Sequence, residues 1–495
     1  MQPRSSERQE EKTVVVSGGT LLDHFFQPLK DVQRARSKRI PQLAHGLHKV
    51  LRRRGGVHWL RDPDTQKYNF PKYLETIPRV EDFAFDRLPA FTPSSQDQGF
   101  VASVRRAGCR FAGSTSSLTG ILTQIYLLLS QEKSLNISDL SEDFDKAPRF
   151  FTPGQRIPAS VILRYQNGIY TTDYDGERDS DDPEDIILLP LGTLLEKFLT
   201  LSKDEFGGFL KSNTSGQYPK LTDVHRYAKY GRFLMRSQLD CYDQALPGTG
   251  VFDLKTRAIS AIRHDVHNYL NYINYNIESL TGREDSFERE YYDMIRSAFL
   301  EYSFQARIGN MDGVLVAYHN TARIFGFQYI SLREMDRCLF GREGAGDRVF
   351  LRCVALMELF YEQITKCFPR RSVKVTFEKR SSVVRAWVEP LEVDGGEPPV
   401  VELQLSLRSI MHGRFMKGSY AIYANYPWTL QYRIQRNVED QATILQNRNR
   451  AYNRQLSIAN SLPATREGSA VDPEGFGASD PALSQSTVLV DEGTV

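Results

Sequence analysis

The segment LDCYDQALPGTGVFDLKTR (residues 239–257) limits the local fold more than any other part of the chain. It predicts two strands joined by a Pro/Gly turn. On the second strand, Asp253, Lys255 and Arg257 alternate with Phe252 and Leu254. Side chains on a strand point alternately to its two faces, so the three charged groups should share one face while the apolar ones enter a core.

Two carboxylates and a lysine on one polar face suit metal-dependent phosphodiester cleavage. Carboxylates hold Mg²⁺ or Mn²⁺, the ion polarises the phosphate and lowers the pKa of a bound water, and a lysine stabilises developing charge. Two upstream acids compete for the position facing Asp253. A tight hairpin centred on Gly248 would select Asp243. Alternation along the incoming strand instead favours Asp240, because Asp240 then shares a polar face with Arg236 and Gln238.

Other residues are candidates for supporting roles at this site. We expect Lys255 to position or activate the attacking water, and Arg257 or Arg236 to steady the scissile phosphate. Gln238 on the same polar face is a substrate-binding candidate. A third acid should come from the preceding helix, where the candidates are Glu196 and, as the alternative, Glu205. Gln305 could touch substrate or orient a ligand water.

Each of these residues also has a purely structural interpretation. The charged strand residues could form a surface ion-pair ladder, for example between Asp253 and Arg236, which contributes little to stability. Glu196 or Glu205 could be an ordinary exposed helix glutamate, and Gln305 could support packing.

The formal net charge of the chain is only +2, so any nucleic-acid affinity must come from local basic patches. One is a basic run in residues 34–54 that carries apolar residues at helical spacing. Another interleaves cations with aromatic residues and suits single-stranded nucleic acid, although a solvated strand face explains it as well. Its cations are Arg370, Arg371, Lys374, Lys379, Arg380 and Arg385.

The composition also bears on the compartment. The five cysteines are far apart and contain no CxxC pair, which argues for a reducing compartment and against a disulfide scaffold. No apolar run reaches the length of a membrane span. Residues 1–12 contain three glutamates and resemble neither a secretory signal nor an acid-poor mitochondrial presequence.

The order of predicted elements indicates an α/β (α+β) fold with a mixed central sheet flanked by helices. We divide the chain into a flexible lead-in (1–33), a basic, helical and irregular N-terminal region (34–150), the domain that carries the candidate site (151–435) and a mostly disordered tail (436–495).

These residues resemble the PD-(D/E)xK nuclease superfamily. More specifically, the chain resembles the fungal mitochondrial RNA-processing and RNA-degradation family first defined by respiratory-deficient petite mutants. The block LMRSQLDCYDQALPGTGVFDLKTRA (234–258) is specific to that family, and the resemblance covers about residues 40–430. It implies a restriction-endonuclease-like core in which Asp240, Asp253 and the backbone carbonyl of Leu254 bind the metal. Lys255 would serve in catalysis, with the helix acid at Glu196 or Glu205.

The resemblance further implies a mitochondrial protein on the matrix side of the inner membrane, peripherally associated with it. Such a protein would act on single-stranded mitochondrial RNA in 5′-end processing and degradation, with links to the mitochondrial RNA polymerase. Our leading prediction is a metal-dependent 5′-to-3′ exoribonuclease. The alternative is a non-catalytic RNA-binding or polymerase accessory protein on a nuclease scaffold.

Overall fold

A computed structural model of the protein describes residues 12–33, 40–52, 56–175, 187–393, 395 and 398–461. Within these residues the strands are β1 (Thr13–Leu21), β2 (Lys30–Gln33), β3 (His58–Trp59), β4 (Phe111–Ser114), β5 (Ala159–Gln166), β6 (Ile169–Tyr174), β7 (His225–Tyr230), β8 (Phe233–Gln238), β9 (Cys241–Tyr242), β10 (Val251–Ala258), β11 (Gly313–Asn320), β12 (Arg323–Ser331), β13 (Val373–Arg380), β14 (Val383–Pro390), β15 (Val401–Met411), β16 (Arg414–Met416) and β17 (Thr429–Asn437).

The helices of the described residues are α1 (His48–Arg52), α2 (Gln98–Arg106), α3 (Thr115–Ser130), α4 (Leu188–Thr200), α5 (Lys203–Gly207), α6 (Ser260–His264), α7 (Phe287–Ser297), α8 (Phe299–Gly309), α9 (Leu332–Phe340), α10 (Ala345–Cys367), α11 (Gly418–Tyr423) and α12 (Gln441–Ser461). None of them is both long and apolar enough to cross a bilayer.

The described strands form two mixed sheets. The larger has the order β1-β17-β15-β14-β13-β5-β6-β4-β8-β7-β2, with β16 paired to β15, and the smaller has the order β3-β12-β11-β10-β9. In the larger sheet β4 runs parallel to β6 and β8, and in the smaller one β10 runs parallel to β11. The predicted α/β class with a mixed sheet and flanking helices is therefore confirmed.

Helix α3 is at the centre of the core. Its sequence, TSSLTGILTQIYLLLS, is apolar around most of its circumference, and a helix of that kind is stable only when it is covered on all sides. It packs against α8 and α10 and against strands of the larger sheet. Its buried side chains belong to one core that includes residues from both the 34–150 and the 151–435 segments. The predicted boundary near residue 150 therefore does not mark the edge of a separate core.

One local prediction differs from the structure. The predicted flexible lead-in contains β1, which pairs with β17, and β2, which pairs with β7. Helices α7 and α8 are separate because the backbone of Ala298 between them leaves the helical region (φ −136°). The basic run is only partly described, since residues 34–39 and 53–55 lie outside the described ranges, as do residues 462–495 of the predicted tail.

The buried His319 on β11 makes stability depend on pH. Burial lowers the pKa of its imidazole from 6.5 to about 4. In the unfolded chain this imidazole is protonated below about pH 6.5, whereas in the folded chain it is protonated only below about pH 4. The free energy of unfolding therefore decreases as the pH falls from about 6.5 to about 4. The loss between pH 7 and pH 4 is of order 3 kcal/mol.

We therefore expect His319→Gln to flatten the dependence of the free energy of unfolding on pH between 6.5 and 4, measured by urea denaturation at several pH values. An unchanged slope would show that other groups account for the acid sensitivity.

Candidate active site

The register between β9 and β10 decides which acid faces Asp253. Tyr242 is opposite Val251 and Cys241 is opposite Phe252, so the next position places Asp240 opposite Asp253. The Leu254 N–H donates a hydrogen bond of 3.2 Å to Asp240 Oδ2. Asp243 instead closes the turn, where its carboxylate accepts a hydrogen bond from the Ala245 N–H. The structure thus brings Asp240 to Asp253 and leaves Asp243 in the connection.

The two carboxyls and Lys255 form one electrostatic unit. Lys255 Nζ lies 3.1 Å from Asp253 Oδ2. Burial, together with the nearby charge of Asp253, raises the pKa of Asp240 well above its usual range. Burial also acts to raise the pKa of Asp253, but the Lys255 ammonium and a hydrogen bond from Asp240 outweigh it, so that this pKa is lowered. The two carboxyls therefore titrate as a pair, and Asp240 is the member more readily protonated.

Helix α4 packs against β10 and brings a third acid to this pair. The charge of Glu196 contributes to the raised pKa of Asp240, which places Glu196 within electrostatic reach of the pair. The alternative, Glu205, forms a capping box with Ser202 at the start of α5. Side-chain exposure rises from 8% at Asp253 to 23% at Glu196, so solvent reaches the cluster from the Glu196 side.

Lys197 is a site residue that the sequence interpretation missed. Its Nζ lies 2.5 Å from Glu196 Oε1. Burial acts to lower the pKa of Lys197, but the charges of Glu196, Asp240 and Asp223 outweigh it and raise that pKa. The only available signal was its position as the one charged neighbour of Glu196 on an otherwise apolar helix. The site therefore contains a second ammonium group beside its acids.

Helix α8 covers the face of β10 that the sequence predicted to be polar. The Tyr302 ring lies 5.2 Å from Lys255 Nζ. Gln305 follows three residues later, so it shares that side of the helix. Its Oε1 is buried and accepts no hydrogen bond from the described part of the chain. A buried amide oxygen without a donor is costly, so this oxygen is suited to a ligand or substrate group.

The two predicted phosphate-binding arginines are held by internal ion pairs. Arg257 is buried against Glu290 on α7, at 3.7 Å between Nε and Oε2. Arg236 lies on β8 in the larger sheet, where it pairs with Asp97 at 2.6 Å. The ladder of Asp253 with Arg236 does not form, because the chain leaves the larger sheet after β8 and joins the smaller one at β9. Gln238 is exposed at the end of β8.

Three of the six cations of the second basic patch form ion pairs with neighbouring acids. Lys374 pairs with Asp175, Lys379 with Glu132 and Arg385 with Glu402, at 3.0, 3.1 and 2.7 Å. These pairs favour the alternative interpretation, a structural strand face, over the predicted nucleic-acid surface.

The acids at this site suit a divalent cation. Two carboxyls this close repel each other when both are charged, and a hard divalent ion between them would offset that repulsion. Within the described residues no three His, Cys, Asp or Glu side chains are already arranged as a metal site. Asp240 and Asp253 are therefore the side chains that would hold the ion, with water completing its coordination shell.

Comparisons with known proteins agree with the resemblance seen in the sequence. A family model described as "Mitochondrial protein Pet127" matches residues 91–361, more than half of the chain. The Schizosaccharomyces pombe mRNA degradation protein pet127, mitochondrial, is 42% identical over 347 residues, covering 70% of this chain and 66% of that protein. A Saccharomyces cerevisiae protein, PET127, proposed by its description as a mitochondrial translation system component, is 39% identical over 316 residues, covering 60% of this chain and 37% of that protein.

Solved structures show only distant similarity. The crystal structure of Scheffersomyces stipitis Rai1 aligns with a TM-score of 0.35 and 11% identity over 74% of this chain and 94% of that one. The complex of the same protein with (3′-NADP)+ and calcium ion gives 0.35 and 10% over 77% and 93%. Our description of the fold therefore rests on the sheets themselves. The chain spans about two thirds and about one third of the lengths of the two curated relatives. By the family match, this chain belongs to the Pet127 family of mitochondrial proteins.

Proposed function

We propose that this protein is a metal-dependent nuclease of the PD-(D/E)xK type that cleaves RNA in the mitochondrion. One observation carries the proposal: the carboxyls of Asp240 and Asp253 face each other, with Lys255 Nζ 3.1 Å from the latter. Such a cluster costs stability, because burial and like charge both oppose it. Strongly perturbed acids gathered at a solvent-accessible edge are typical of catalytic sites.

The residues divide the chemistry of hydrolysis among them. A bound Mg²⁺ or Mn²⁺ would supply Lewis acidity and lower the pKa of a coordinated water. Asp240 and Asp253 would hold that ion, with the Leu254 carbonyl as a further ligand. Lys255 would orient the attacking water and stabilise negative charge on the phosphate. Glu196 would act from α4 as the third acid, and Gln305 would contact substrate or a ligand water.

The biological setting of the proposal comes from the family. The S. pombe relative is named as an mRNA degradation protein, which supports RNA as the substrate. We propose single-stranded mitochondrial RNA, processed and degraded from its 5′ end, with 5′-to-3′ polarity. Contact with the mitochondrial RNA polymerase and peripheral association with the inner membrane are further parts of the proposal and rest on the family resemblance.

A second function has one observation in its favour. The third acid, Glu196, forms an ion pair with Lys197 and is therefore not free to bind a metal ion. In agreement with this, the described residues contain no three acids already arranged around a metal position. A chain of this kind could bind RNA or the polymerase on a nuclease scaffold without cleaving. Cleavage assays separate the two functions.

We expect Asp253→Asn to abolish cleavage of single-stranded RNA while leaving RNA binding within about twofold. The substitution keeps the size of the side chain but removes a negative charge that the metal requires. The assay uses purified protein with labelled RNA and Mn²⁺ or Mg²⁺, and EDTA should stop the reaction.

Asp243→Asn is the matched control for this experiment. It removes a carboxylate from the connection between β9 and β10, and the asparagine oxygen can still accept the hydrogen bond from Ala245. It should cleave at the wild-type rate. Equal hydrolysis by Asp253→Asn and wild type would refute the catalytic assignment, and no hydrolysis by wild type with either metal would favour the scaffold function.

Labels at the two RNA ends test the direction of degradation. With 5′-to-3′ exonuclease action, a 5′ label should appear at once in mononucleotide, whereas a 3′ label should stay in long products until late in the reaction. The reverse order of release would contradict the proposed polarity.

Metal binding has a readout that does not require activity. A ligand that binds only the folded state raises stability by RT ln(1 + [L]/Kd), so Mn²⁺ should raise the Tm of wild type and of Asp243→Asn. It should raise the Tm of Asp253→Asn little or not at all. An equal shift in all three proteins would place the ion elsewhere.

A further inference from the structure

The segment between Glu402 and Glu439 contains no acidic residue, although the whole chain contains nearly equal numbers of acidic and basic residues. It forms most of β15, β16, α11 and β17. Its cations are Arg408, Arg414, Lys417, Arg433 and Arg436. This segment therefore carries a formal charge of +5 in a chain whose net charge is only +2.

Four large aromatic rings are exposed on this segment. Phe415, Tyr420, Tyr423 and Tyr426, which we call the aromatic platform, have exposed fractions of 61, 50, 59 and 52%. Tyr420 and Tyr423 are three residues apart on α11 and so share one side of the helix. The hairpin before α11 reaches the chain after it, because the His412 ring packs edge-on to Tyr426 at 4.6 Å. The turn before β16 thus meets the chain that follows α11, beside Tyr426.

The backbone beneath the platform is held firmly. Gly418 begins α11 so close to α3 that a Cβ there would lie 1.8 Å from the Leu129 carbonyl oxygen. The Gly418 N–H donates to Gln131 Oε1 at 2.7 Å. This close contact turns Ala421 and Ile422 into the core and directs the tyrosines outward. A rigid platform loses little conformational entropy when it binds a ligand.

Guanidinium groups underlie the rings and border them. Arg342 donates to the Tyr423 carbonyl and Arg348 to the Tyr426 carbonyl, at 3.0 and 2.5 Å. Arg408 lies 5.2 Å from the centre of the Phe415 ring. Glu132 is within electrostatic reach of Lys417 but also pairs with Lys379 and Arg156, and Asp23 is within electrostatic reach of Arg348. The cations named around the platform outnumber these two acids.

We propose that the aromatic platform is a binding surface for single-stranded RNA. Exposed rings stack on unpaired bases, and neighbouring cations contact phosphates, with little preference for sequence. The inference rests on RNA as the proposed substrate but does not depend on cleavage. It extends the proposed function, because it distinguishes a surface that binds RNA from the site that would cleave it.

The platform and the candidate active site belong to different sheets. The platform adjoins β15, β16 and β17 of the larger sheet, whereas Asp253 lies on β10 of the smaller one. RNA bound at the platform would therefore be a part of the transcript other than the part being cleaved.

The test is binding of a fluorescein-labelled oligouridylate, followed by fluorescence anisotropy in EDTA. We expect the double variant Tyr423→Ala/Tyr426→Ala to bind at least about tenfold more weakly than wild type, because each lost stacking contact weakens binding severalfold or more. The double variant Tyr423→Phe/Tyr426→Phe keeps both rings and should bind within about twofold of wild type, which also excludes a role for the hydroxyls.

Phe150→Ala is the matched control. Phe150 is 56% exposed and has Arg296 over its ring at 5.7 Å, as Phe415 has Arg408, but it lies outside the acid-free segment. Its loss should leave binding unchanged. In addition, Arg414→Gln/Lys417→Gln should reduce the slope of log K against log salt concentration by about 1.4, the value for two phosphate contacts to a single strand.

Wild-type binding by the Tyr423→Ala/Tyr426→Ala variant would overturn the proposal. The proposal would also fail if this variant bound oligouridylate normally but no longer bound phosphatidylserine vesicles. The platform would then bind a lipid surface and not RNA. Because EDTA removes the metal, these outcomes are independent of whether Asp253→Asn loses cleavage. Far-UV circular dichroism and the Tm of each variant verify that the fold is retained.

Discussion

The pairing of β9 with β10 is the constraint on which the candidate site depends. The backbone hydrogen bonds of this short ladder hold Asp240 opposite Asp253, an arrangement that like charge and burial both oppose. The Lys255 ammonium beside Asp253 and Lys197 beside Glu196 offset part of this opposition, and the remainder raises the pKa of Asp240. A divalent cation bound between the carboxyls would offset more of it. The cluster therefore lowers local stability, as expected of a site that binds a metal ion.

The sequence predicted those features that depend on local periodicity. Alternation on β10 predicted that Asp253 and Lys255 share a face, and alternation on the incoming strand favoured Asp240 over Asp243; the structure agrees with both. The turn between β5 and β6 is local in the same way, because Asn167 and Gly168 adopt the positive φ angles that an Asn-Gly turn requires. Period and turn chemistry act over a few residues, so one sequence is enough to detect them.

The features that the sequence did not predict depend on long-range packing. Nothing in the alternation of residues 233–242 indicates that the chain leaves one sheet and enters another, yet this step separates Arg236 from Asp253. Burial of Arg257 against Glu290 depends on α7 covering β10, and the approach of Lys197 depends on how α4 docks. The pairing of β1 with β17 joins residues that are more than four hundred positions apart, so local patterns carry no trace of it.

The most direct measurement of the central claim is a crystal structure of the protein soaked in Mn²⁺, with anomalous diffraction used to locate the ion. We predict an anomalous peak between Asp240 and Asp253, within coordination distance of one oxygen of each. A structure in which both carboxyls keep their mutual hydrogen bond at saturating Mn²⁺, with no peak between them, would contradict it.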